Sequence, residues 1–170
     1  MSELSVGELR GLTVNNNVIT IASGHKLSIP GHVLQVVQSS FSTQAYSTSG
    51  SFVDTGLTAT ITPTSASSKI LVLVSQGFAV QHNNGGNWVS GEFAGFRGTT
   101  QLQTVYLEAR VGYGQGTVLT VASNYSLNFL DSPATTSATV YKTQFKNGGT
   151  GTYANYNNTL ATITLMEIAQ

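Results

Sequence analysis

Leu57-Thr58-Ala59-Thr60-Ile61 sends Leu57, Ala59 and Ile61 to one side of an extended chain and two threonines to the other. That period of two is the signature of a strand with one buried face. Ser126-Leu127-Asn128-Phe129-Leu130 repeats it with Leu127 and Phe129. Helical periodicity is hard to find, because Thr, Val, Ile, Ser, Gly and Asn fill most windows. Outward from these stretches, strands are predicted at Val33–Phe41, Ser51–Asp54, Leu57–Thr62, Lys69–Val80, Trp88–Arg97 and Gln101–Arg110. Further strands are predicted at Thr117–Val121, Tyr125–Asp131, Ala138–Phe145 and Leu160–Ile168. The pattern is that of an all-β chain, an antiparallel jelly-roll-like β-sandwich over residues 32–170.

Ile70-Leu-Val-Leu-Val74 and Leu160-Ala-Thr-Ile-Thr-Leu-Met166 are apolar on both faces, whereas a sandwich strand needs only one. The expectation is that subunit contact covers the second face. Residues 1–31 read differently. Leu4/Val6, Leu12/Val14, Ile19/Ile21 and Leu27/Ile29 form four apolar dyads at spacings of eight, seven and eight residues, with Gly and Asn turns between them. Strands this short cannot bury their side chains within one chain. They predict an extended N-terminal arm that anchors the protein or trimerises it.

Only 8% of the residues are charged, 7 basic and 7 acidic, while 42 are Ser or Thr and 22 are Asn or Gln. Uncharged polar groups therefore carry the solubility. A net charge of zero offers no phosphate neutralisation and no attraction to an anionic membrane, so neither nucleic acid nor membrane is expected as a partner. The absence of cysteine excludes disulfides and thiolate metal sites. Met1-Ser-Glu-Leu4 has neither the basic nor the apolar region of a signal peptide, and no classical export signal is expected.

Candidate chemistry is sparse. His25, His32 and His82 lack the spacing of metal ligands and read as exposed or capping residues. Glu92 and Glu108, with Arg97 and Arg110 nearby, read as Glu–Arg ion pairs rather than a glycosidase pair. No catalytic residue, cofactor site or metal site is predicted.

Three loops mix Gly and Asn: 81–87, read as a hairpin tip between the Lys69 and Trp88 strands, 112–116 and 146–158. Tyr113, Tyr153, Tyr156 and Trp88 are the candidate glycan contacts, since aromatic faces beside amide side chains suit sugar stacking. The alternative places Trp88 inside the sandwich and the tyrosines over loop edges.

Five segments resemble a family of phage virion proteins, found in cyanophages and marine phages as tail-fibre-like or similar surface proteins. They are His32–Gln38, Phe52–Pro63, Ser67–Val74, Leu130–Pro133 and Thr162–Ile168. The resemblance implies a trimeric virion component with a jelly-roll-like head, and it carries no catalytic residue with it. The function expected is a structural virion surface protein, either a short tail fibre or a capsid-decorating knob. It is held to other virion proteins by the arm and presents its head towards host glycans. A stand-alone lectin-like module is the alternative.

Overall fold

A computed structural model describes residues 29–82, 88–110 and 118–170. It contains ten strands: β1 (Val33–Phe41), β2 (Ala45–Ser47), β3 (Val53–Ile61), β4 (Lys69–His82), β5 (Trp88–Arg97), β6 (Thr100–Arg110), β7 (Leu119–Asp131), β8 (Thr139–Asn147), β9 (Gly151–Ala154) and β10 (Ala161–Ile168). They form two antiparallel sheets packed as a sandwich. Sheet A holds β1, β10, β4, β9, β2 and β7, and sheet B runs β3-β8-β5-β6.

Two short strands act as continuations of longer ones. One edge of β4 pairs with β7 along its whole length, from Ile70 with Asp131 to His82 with Leu119. Its other edge is shared: β10 takes Lys69 to Ser75, and β9 takes Phe78 to Gln81. Beyond these, β1 pairs with β10 and β2 with β9. Sheet A is thus four ranks wide, and the fold reduces to eight ranks. The first pairs with the eighth, the second with the seventh, the third with the sixth and the fourth with the fifth. A single long hairpin rolled on itself gives this nested order, which is a jelly roll.

Alternation produces the core. Leu57, Ala59 and Ile61 of β3 and Ile70, Val72 and Val74 of β4 enter one core, with Phe78, Phe93, Leu127, Tyr141, Phe145, Ile163 and Leu165 filling the space between the sheets. A buried polar chain crosses that core. Thr55, Gln76, Thr143 and Asn155 are each no more than 1% exposed. Thr143 donates to Gln76 Oε1 at 2.8 Å, so the 2.6 Å bond between Thr55 and Thr143 must have Thr55 as its donor. Gln76 Nε2 donates to Asn155 Oδ1 (2.7 Å), and Asn155 Nδ2 to the Thr43 carbonyl (2.9 Å). Every link points the same way, which removes the cost of burying these groups and fixes both amide orientations.

The antiparallel course sorts the connections to two ends. At one end lie the chain entry, where Gly31 N donates to Ala169 O (2.8 Å), and the connections 62–68, 98–99 and 132–138. At the opposite end lie the strand ends that flank segments 83–87, 111–117 and 148–150. The hairpin expected across 81–87 is not one. β4 belongs to sheet A and β5 to sheet B, so this connection crosses between sheets. Periodicity identifies strands but not the sheet each one joins. The loop expected over 146–158 contains β9, and the gaps expected at 55–56 and 122–124 lie inside the continuous β3 and β7.

Candidate functional site

Tyr46 and Tyr153 face each other across the β2–β9 ladder. Ala79 of β4 stands opposite Tyr153, whereas its neighbours Phe78 and Val80 belong to the core. Alternation therefore puts both tyrosines on the outer face of sheet A. Their ring centroids are 4.7 Å apart and tilted by 42°, and Tyr156 packs edge-on to Tyr153 at 5.4 Å. Tyr46 is 51% exposed and the other two rings are half-buried.

Gly151 makes this cluster possible. A Cβ at this position would lie 2.6 Å from the Tyr46 hydroxyl and 2.7 Å from its ring, so only glycine lets the ring lie across the strand. Tyr156 follows from a detour of the chain. Between the pairs Ala154–Phe78 and Thr162–Ser75, residues 155–160 leave the ladder. Asn155, Asn157 and Asn158 all take the left-handed conformation, which asparagine tolerates better than most residues. Asn155 is tied down by its backbone bond to Gly77 O (2.7 Å) and by the buried polar chain. Gln44 holds the detour from the other side, through Asn157 N (2.8 Å) and Asn158 Oδ1 (3.1 Å).

Beside Tyr156 an open groove of about 350 Å³ runs across β4 to β7. Gly77, Ala122, Ser123, Asn124, Asn157 and Thr159 line it. Its depth depends on Gly77, since a side chain there would strike the Thr159 hydroxyl.

The structure separates the residues singled out from the sequence. Tyr153 and Tyr156 come together, and Tyr46, not among the candidates, completes the group. Trp88 is not packed in the sandwich. It is 57% exposed at the start of β5, and because Val89 and Phe93 enter the core it projects from the outer face of sheet B, away from the tyrosines. Tyr113 lies outside the described residues, as do Leu4, Val6, Leu12, Val14, Ile19, Ile21 and Leu27 of the arm. Ile29 is 49% exposed.

The partners of Glu92 and Arg97 also differ from expectation. Glu92 pairs with Lys146 (2.8 Å), and both oxygens of Asp131 accept from Arg97 (2.8 and 2.7 Å). Tyr141 donates to the same carboxylate at 2.6 Å. Burial and the Asp131 carboxylate together push the Tyr141 phenol well above its usual range. His82, expected to be exposed or capping, is buried at the end of β4. Glu167, fully buried, accepts from Gln35 Nε2 (2.6 Å), Thr64 N (2.7 Å) and Thr64 Oγ1 (2.9 Å). Burial alone would raise its carboxyl, but these bonds outweigh burial and hold it below its ordinary value.

A second outer-face feature is apolar. Val36 pairs with Met166, Met166 with Leu71, and Leu71 with Leu130, so one row crosses all four ranks of sheet A. Val36 is 56% and Leu130 53% exposed. Within one chain the second apolar face read from the sequence is therefore uncovered.

No family model matches the chain, and no curated protein matches it significantly. Among solved structures, two of particles derived from infectious bursal disease virus match over 90% of this chain at 17% identity. One of them is a point mutant of the VP2 protein, with a TM-score of 0.31, and the other scores 0.32. The Gt strain of the same virus matches at 15% identity with a TM-score of 0.32. The chain spans 41% of the length of those chains.

Proposed function

We propose that this chain is a structural component of a phage virion surface, a homotrimer anchored by residues 1–31 that projects residues 32–170 outward. The observation that carries this reading is the polarity of the sandwich. The arm joins the sandwich at the end where Gly31 meets Ala169, and the strand ends flanking two Gly/Asn-rich connections lie at the other end. An anchored head needs that arrangement. The apolar row from Val36 to Leu130 supplies a surface for contact between copies. The resemblance of five segments to phage virion surface proteins supports the same reading.

The test is the mass and particle association of the intact chain and of a chain lacking residues 1–31. The intact chain is expected at three times its 17.9 kDa and sedimenting with particles, and the shortened one in neither state. A monomeric intact chain, or a shortened chain that still sediments with particles, defeats the proposal. Imaging of labelled particles then separates a capsid knob, repeated with the shell symmetry, from a fibre confined to the tail.

A further inference from the structure

We propose that Tyr46, Tyr153 and Tyr156, with the groove beside them, form a binding site for a neutral saccharide. This goes beyond the assembly reading and does not rest on it, because the site lies within a single chain.

The three rings offer a bent aromatic surface with centroid steps of 4.7 and 5.4 Å, half to partly open to solvent. Aromatic faces of this kind take the C–H face of a pyranose, while the phenol hydroxyls reach its oxygens. The groove continues from Tyr156 with polar groups that have no internal use. Among the described residues, the side chains of Asn124 and Asn157 make no hydrogen bond, although Asn155 and Asn158 beside them are engaged. Amides that both donate and accept are suited to sugar hydroxyls, which do the same.

Charge selects the class of ligand. The residues lining the groove include no Asp, Glu, Lys, Arg or His. An anionic polysaccharide would find no counter-charge, and a cationic peptide no carboxylate. A volume of about 350 Å³ is at the small end for ligand sites, enough for one or two sugar units with the rest of the chain lying over Tyr153 and Tyr46. The floor is rigid, because Asn155 beneath it belongs to the buried polar chain.

The experiment is an amide-shift titration of the isotope-labelled full chain. The probes are neutral tetrasaccharides of glucose, mannose, galactose, N-acetylglucosamine and rhamnose, a heparin tetrasaccharide as the anionic counterpart, and decaproline as an aromatic-groove peptide. At least one neutral tetrasaccharide is expected to shift Gly77, Asn124 and residues 153–159, with affinity unchanged in about 0.5 M salt. Tyr153→Ala is expected to weaken binding about tenfold. Asn124→Ala, at a side chain with no internal partner, is expected to weaken it at an unaltered melting temperature. Gly151→Ala, which displaces the Tyr46 ring without removing it, is expected to do the same should Tyr153→Ala fail to fold. Trp88→Ala, on the other face, is expected to leave binding unchanged. Silence of all the neutral probes at these amides overturns the proposal. So does preferential binding of heparin or decaproline, or a loss on Trp88→Ala equal to that on Tyr153→Ala.

Discussion

The two ends of the sandwich are built from different materials. At the end where the chain enters, buried and half-buried charges fasten one element to another. Asp131 of β7 in sheet A joins Arg97 of β5 and Tyr141 of β8 in sheet B. Glu167 of β10 clasps the crossover through Thr64. At the far end the strands run out into segments rich in Gly and Asn, and the one tryptophan stands in solvent. A charge buried with full hydrogen bonding is costly to disturb, whereas a Gly/Asn connection tolerates change. The first end is therefore where the fold is fixed, and the second is where sequence is free to vary.

The sharpest way to break the contrast is Asp131→Ala. It leaves the buried Tyr141 hydroxyl and the Arg97 guanidinium without their acceptor, and about 3 kcal/mol of stability is expected to go. Urea unfolding measures it, and a loss near zero would show that the two sheets need no such fastening.

Next comes Glu167→Gln, expected to cost about 2 kcal/mol at neutral pH, since charge-assisted bonds become neutral ones. The pH dependence follows from the lowered carboxyl. Its stabilisation is complete above the ordinary value of 4.5 and is lost as pH falls through the lower folded value. Melting curves of the two proteins should therefore converge in acid. A constant gap down to the acid limit would exclude the charge as the cause.

On the outer face of sheet A, beside the entry end, Leu130→Glu adds a charge to the exposed apolar row. The expected outcome is a shift from the proposed trimer to monomer in sedimentation, with the monomer's own stability changed by less than about 1 kcal/mol. The smallest effect belongs to the far end. Trp88→Ala is expected to change stability by no more than about 0.5 kcal/mol, because the ring covers no core. A larger loss would make the two ends alike.

Much of this was legible in the alternation of apolar residues. β1 and β5 run over the residues read from the sequence, and β3 was recognisable from Leu57, Ala59 and Ile61. Where alternation fades, so did the reading. Residues 122–124 of β7 are all exposed small or polar residues, and Gly151–Ala154 is only four residues long inside a Gly/Asn stretch. Tyr46 was missed for the same reason. β2 is three residues long, and its pairing with β9 is a contact 107 positions away that no local pattern announces. Asp131 and Glu167 were within strands read correctly, yet an acidic residue in an alternating strand looks the same whether it faces solvent or a buried partner. Tyr153 and Tyr156 stand out in a loop composition because they are aromatic, and the structure packs the two rings together. What the sequence could not supply was the sheet to which each strand belongs, and this alone sends Trp88 and Tyr153 to opposite faces.

The pairing of β1 with β10 carries a consequence for synthesis. Phe41 waits for Ala161 and Val33 for Ile168, so the second strand of the first ladder emerges more than a hundred residues after the first. Until then, β1 and the whole shared edge of β4 offer unpaired backbone to any neighbour, on a chain with few charges to repel one. Contacts this distant in sequence also form slowly. On a ribosome, the growing chain is a set of open edges whose closure comes with β10, and neighbouring nascent copies are the nearest strands available to fill them.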